Sequence, residues 1–88
     1  MDMLQIDYSS KFLKQYAKVS DKIQTAVKER MALFEEDFYH PLLRNHELEG
    51  KYAGYRSINI TGDWRALYRI SDNKILFDLL GTHSELYG

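Results

Sequence analysis

Residues 54–80, GYRSINITGDWRALYRISDNKILFDLL, decide the fold. Apolar and polar side chains alternate through 54–60, 64–70 and 74–80, the period of half-buried strands. Thr61-Gly62-Asp63 and Ser71-Asp72-Asn73 separate these runs and are turn-forming residues. Links this short allow no crossover, so the three strands are antiparallel neighbours. Ile58 and Ile60, with Trp64, Ala66, Tyr68 and Ile70, form the apolar side expected to meet the rest of the chain. Asn59, Asp63, Arg65, Leu67 and Arg69 fall toward the opposite side or its turn. Arg56 alternates with the apolar set, which places it at a sheet end or beside a buried acid.

Upstream of this stretch the period changes. Residues 3–8, MLQIDY, alternate with Leu4, Ile6 and Tyr8 on one side and read as a short strand. Ser9-Ser10 offers an N-cap, and Phe12, Leu13, Tyr16 and Ala17 then recur at helical spacing over about two turns. A second helix starts near Ser20-Asp21, where Asp21 and Gln24 resemble a capping box. Ile23, Ala26, Val27, Met31 and Phe34 mark its apolar face, and Pro41 bars any continuation. The link between the helices is short enough for an antiparallel hairpin. The order is β-α-α-β-β-β: a two-layer α+β domain, with the hairpin on one face of a small, curved, largely antiparallel sheet and nothing on the other.

The 88 residues leave room for one domain, spanning 1–88. Apolar residues make up 44% and charged residues 28%, which excludes disordered, collagenous and coiled-coil classes. Without cysteine there is no disulfide scaffold and no thiolate metal site. No apolar run reaches the roughly 18 residues of a membrane span. The acidic start MDMLQIDYSS is unlike an export signal, so a cytoplasmic protein is expected. At this size apolar burial and ordering entropy nearly cancel, which makes support from a partner reasonable.

Net charge is −1, which disfavours a bulk-basic nucleic-acid binder. The charge is uneven: residues 40–70 carry five bases against three acids, leaving room for a local anionic ligand. His46 in RNHELEG, His83 in GTHSELYG, Asp63 in its turn and Arg65 supply an acid–base and anion-binding set. By spacing alone each also suits an ordinary surface histidine or turn aspartate. Lys11, Lys14, Lys18 and Lys22 suit a solvated helix face as well as a phosphate contact, and Tyr87 suits a free end as well as a stacking platform. The histidines lack metal-site spacing, and the chain has no glycine-rich phosphate loop and no nucleophile elbow. No metal and no small-molecule cofactor are expected.

The stretch NHELEGKYAGYRSINITGDWRALYRI, followed by ILFDLLGTHSELYG, resembles the YafQ branch of the RelE-type toxins of bacterial type II toxin–antitoxin systems. The pattern is His-x-Leu-x-Gly, aromatic-x-x-Tyr-Arg, Asp-Trp-x-x-x-Tyr and a closing Gly-Thr-His-Ser-x-Leu-aromatic. The resemblance covers about half the chain, and GTHSEL is its most specific piece. It implies a metal-independent endoribonuclease (an mRNA interferase) that inhibits translation by cutting messenger RNA on the ribosome. The ribose 2′-hydroxyl attacks the adjacent phosphate and leaves a 2′,3′-cyclic phosphate. His46 then falls at a catalytic or phosphate-contacting position, Asp63 at that of a base or orienting group, and His83 at that of the general acid. Tyr87 matches the aromatic that stacks on a codon base, and Arg65 matches a phosphate-binding arginine. Lys51, Arg56 and Asn59 complete the implied RNA- and phosphate-binding set, and Trp64 is structural. Asn59 stands where the family has a histidine, and an amide carries no proton near neutral pH.

The resemblance also implies a cognate antitoxin, the ribosome and mRNA as partners, and no membrane. Two alternatives share the fold. One is a ParE-like toxin without nuclease activity that acts on DNA gyrase. The other is a catalytically weakened relative that still binds its antitoxin.

Overall fold

The computed structural model describes residues 5–88. Leu4, and with it the start of the first expected strand, lies outside them. The first strand, β1, runs over Gln5–Tyr8. Ser9 follows as N-cap: its hydroxyl accepts the Phe12 N–H at 3.0 Å and starts helix α1, Ser10–Lys18. The second helix, α2, spans Asp21–Glu36, and its cap is Ser20, which accepts the Ile23 N–H. The expected box of Asp21 and Gln24 does not form, because the Gln24 amide donates to the Tyr16 carbonyl of α1 at 2.9 Å. This bond ties the two helices at their junction. A 3-10 turn at Pro41–Leu43, the two-residue strand β2 at His46–Glu47 and a second 3-10 turn at Gly50–Tyr52 lead to the sheet.

Strands β3 (Arg56–Asn59), β4 (Trp64–Ser71) and β5 (Lys74–Thr82) form the antiparallel meander expected of the period-two stretch. The five-stranded order is β1-β5-β4-β3-β2. β1 pairs parallel to β5, a pairing that the helical crossover permits. A short helix, α3 (His83–Tyr87), ends the chain.

The helices pack on one face of the sheet. Phe12, Val27, Met31 and Phe34 meet Ile58, Ile60, Ala66, Tyr68, Ile75, Phe77 and Leu80, all buried. Phe34 sits centrally, with ring centroids 5.2 Å from Tyr68 and 5.3 Å from Phe77. Burial of side chains of this size, at about 1.5–3 kcal/mol each, is the main force holding the layers together.

Three expectations are corrected. Ile70, one residue from the end of β4, is 55% exposed rather than part of the core, although its register partner Ile75 is fully buried. Leu67, expected on a bare face, is fully buried there. Gly81 pairs with Arg65 on that same face, and a Cβ at Gly81 would meet Leu86 of α3 at 3.3 Å. The face opposite the hairpin is therefore partly covered, by α3. Strand β5 also carries an extra residue. Leu67 pairs with Leu79 and Tyr68 with Phe77, so Asp78 bulges and the buried positions change phase from Ile75 and Phe77 to Leu80.

Candidate functional site

The sheet face opposite the hairpin holds a cleft of about 870 Å³, between the Arg44–Leu48 segment, the ends of β3 and β4, and α3. Its wall is made of Arg44, Asn45, His46, Leu48, Ser57, Asn59, Gly62, Arg65, His83 and Tyr87. Strand register assembles it: His46 pairs with Ser57, Asn59 with Arg65, and Arg65 with Gly81, immediately before the α3 cap. Among the described residues that line it there are two arginines and two imidazoles but no carboxylate. The −1 net charge of the chain thus hides a locally cationic surface.

His46, Arg65 and His83 are each held from behind. His46 Nδ1 lies 2.7 Å from the Arg44 carbonyl. A carbonyl only accepts, so Nδ1 carries the proton and neutral His46 offers Nε2 as its acceptor. Arg44, which supplies that carbonyl, has a left-handed backbone with φ of 48°. Arg65 Nη1 donates to the carbonyls of Thr61, Gly62 and Trp64 at 3.0, 3.2 and 3.1 Å. The guanidinium closes its own hairpin loop and is fixed in place against the cleft wall.

His83 begins α3. Its backbone N–H donates to the Asp63 carbonyl at 2.9 Å, and its ring lies 4.8 Å from that of Tyr87, one helical turn on. Tyr87 is 40% exposed, as a platform open to a ligand must be. Thr82 and Glu85 cap the helix reciprocally: Glu85 N–H donates to Thr82 Oγ1 at 3.1 Å, and Thr82 N–H to Glu85 Oε1 at 2.8 Å. Gly81, Thr82, Glu85 and Leu86 of the GTHSEL stretch thus build a bracket for His83 and Tyr87.

Five of the eight expected residues share the cleft: His46, Asn59, Arg65, His83 and Tyr87. Three do not. Asp63 is exposed, and its bonded contribution is the backbone carbonyl that receives His83. Lys51 lies 5.3 Å over the Tyr52 ring, outside the wall. Arg56 is drawn away: its Nε donates to Asn45 Oδ1 at 2.9 Å, it pairs with Glu47 at 3.4 Å, and it lies over Tyr39. Strand alternation already separated Arg56 from Asn59, and its partner is an exposed acid rather than a buried one. Reading the sequence missed Arg44 and Asn45, which no local pattern marks, and Ser57, whose alternation with Asn59 was the available signal.

Elsewhere on this face, Tyr55 donates from its hydroxyl to Asp78 Oδ2 at 2.7 Å. That bond, foremost among several influences, holds the Asp78 carboxyl below its ordinary range and raises the Tyr55 phenol. Among the described residues no three His, Asp or Glu side chains cluster as metal ligands, and no helix is long and apolar enough to cross a membrane.

Comparison with known proteins places this architecture. A family model described as "Bacterial toxin of type II toxin-antitoxin system, YafQ" matches residues 4–88. The mRNA interferase toxin YafQ of Escherichia coli strain B / BL21-DE3 is 31% identical over 88 residues, covering 94% of this chain and 95% of that protein. The protein of the same name from strain K12 is 36% identical over a shorter match, 51% of this chain and 49% of the relative. The crystal structure of YafQ from E. coli strain BL21(DE3) superposes with a TM-score of 0.78 at 25% identity, covering 98% of this chain and 100% of that one. YafQ in the E. coli DinJ-YafQ toxin-antitoxin complex superposes with a TM-score of 0.76 at 26% identity, covering 99% and 100%.

Proposed function

This chain belongs to the YafQ family of bacterial type II toxins, and from that premise we propose that it is an mRNA interferase: a metal-independent endoribonuclease that cuts messenger RNA on the ribosome. The observation that carries the reading is the cleft itself, which joins two imidazoles, two guanidiniums and an exposed phenol in a wall whose described residues include no carboxylate. A polyanion enters such a wall without like-charge repulsion.

The chemistry follows from the donors present. His46 accepts the 2′-hydroxyl proton at Nε2, because Nδ1 is committed to the Arg44 carbonyl. The 2′-oxygen attacks phosphorus and the bond to the 5′-oxygen breaks. His83, as imidazolium, gives its proton to that leaving oxygen. The products are a 2′,3′-cyclic phosphate and a 5′-hydroxyl. Arg65 and Arg44 hold the charge that grows on the phosphate, and Asn59 donates from its amide. Tyr87 stacks under a base of the codon. Asp63 acts as an orienting group through the carbonyl that seats His83. Lys51 contributes long-range attraction, and Arg56 braces the β2 edge. One imidazole must be neutral while the other is charged, so the rate is expected to be bell-shaped in pH.

Asn59 favours a second reading, a weakened relative that keeps antitoxin binding, because this wall position carries no titrating group. In either reading the chain is one domain over 1–88, acts in the cytoplasm and has a cognate antitoxin, by analogy with the DinJ-YafQ complex. Induced expression tests the proposal: growth and translation should arrest, and co-expression of the antitoxin should restore them. Normal growth with abundant soluble protein would overturn it.

A further inference from the structure

We propose that Tyr52, which does not line the cleft, is the positioning residue that clamps α3 and so sets the placement of His83 and Tyr87. The inference rests on the ribonuclease reading of the cleft. Helix α3 has only five residues, too few to hold together alone in water. Its first turn is closed by the box of Thr82 and Glu85. Its last turn leaves carbonyls without helical partners. The Tyr52 hydroxyl satisfies one of them, donating to the Leu86 carbonyl at 2.9 Å across 34 positions of sequence.

The ring does a second job. It meets Tyr87 edge-on at 5.6 Å and Tyr55 edge-on at 6.2 Å, and Tyr55 in turn bonds Asp78 in the β5 bulge. A continuous path thus runs from the tip of α3 to the rigid sheet. Tyr52 is itself held in the 3-10 turn Gly50–Tyr52, between two left-handed glycines, Gly50 at φ 63° and Gly54 at φ 93°. Other residues reach that region only with strain. The spacing Gly50-x-Tyr52-x-Gly54-Tyr55, which the acid–base chemistry leaves unused, is the local code for this clamp.

Tyr52→Phe removes the hydroxyl and keeps the ring, and Tyr52→Leu removes both. Two readouts are needed: amide hydrogen exchange across the chain, and single-turnover cleavage of message on programmed ribosomes. In Tyr52→Phe, exchange at Leu86–Gly88 should quicken about fivefold, the worth of one net hydrogen bond, with β4 and β5 unchanged. The cleavage rate at saturation should fall about tenfold through misplacement of His83, while the half-saturating concentration stays within about twofold. Tyr52→Leu, which also strips the support of Tyr87, should raise that concentration as well. Wild-type exchange at α3, a wild-type rate, or faster exchange throughout the sheet in Tyr52→Phe would each overturn the proposal. If the unmodified chain cuts no ribosome-bound message, the ribonuclease reading fails, and the exchange measurement alone decides whether the clamp exists.

Discussion

The two faces of the sheet obey opposite rules while sharing the same strands. Toward the hairpin, β3, β4 and β5 present Ile58, Ile60, Ala66, Tyr68, Ile75, Phe77 and Leu80, a dry surface that the rings of Phe12 and Phe34 complete. Toward α3 the same strands present Asn59 and Arg65, with His46 supplied by the neighbouring edge strand β2 and His83 by the start of α3. One face gains its stability from burial without regard to direction. The other depends on hydrogen bonds that hold three of its basic residues: a carbonyl behind His46, three around Arg65 and a capping box under His83. The contrast teaches that this domain divides its work by face, so that substitutions should sort into stability and activity classes by the side of the sheet they strike.

The largest expected effect breaks that division from the core side. Phe34→Ala leaves a cavity at the centre of the aromatic cluster and should cost about 3–5 kcal/mol, most of the stability of a domain this small. Urea denaturation checks it; a loss under about 1 kcal/mol would mean the core can collapse around the gap. His83→Ala should lower cleavage by about 10²–10⁴-fold while circular dichroism and the melting curve stay as before. A mutant cutting at the original rate would remove His83 from the chemistry. Asn59→His restores a proton carrier to the cleft wall and should raise the single-turnover rate about tenfold at most; an unchanged rate would show that His46 and His83 suffice.

The smallest effect is in pH dependence. The Tyr55 hydroxyl lowers the folded Asp78 carboxyl below its usual range of about 4. A lowered folded value means that the contribution is complete above the unfolded range and is lost as pH falls through the folded one. Tyr55→Phe should therefore flatten the acid limb of stability below about pH 4. The change should be no more than about 0.5 kcal/mol, since the pair is partly open to solvent. Acid titrations of both proteins followed by fluorescence decide this, and superimposable curves would mean that Asp78 keeps its low value from other neighbours.

The helix-side half of the molecule was legible because its signals are local. Ser9 and Ser20 stand where N-caps must, and the alternation from 54 to 80 persists through three strands. The cleft side was only partly legible. Alternation carried Asn59 and Arg65 to the correct face but misjudged Leu67, because α3 is too short to announce itself by periodicity. Thr82 and Glu85 were its readable sign, a capping box overlooked beside His83. The Asp78 bulge changes the phase of β5 without any residue type that demands it. Arg44 enters the wall through a left-handed turn that arginine rarely adopts, so nothing in its neighbours foretold it. Arg56 shows the reverse: a cation that sequence likeness put with the phosphates is engaged by Asn45 and Glu47 instead.

The most direct test of the account is primer extension on a reporter message in a purified translating system, with and without ribosomes. The account predicts cuts inside codons only when ribosomes are present, 2′,3′-cyclic phosphate ends at those cuts, and loss of the cuts in His83→Ala. Intact message under all conditions, or the same cuts on naked RNA with 3′-hydroxyl ends, would contradict it.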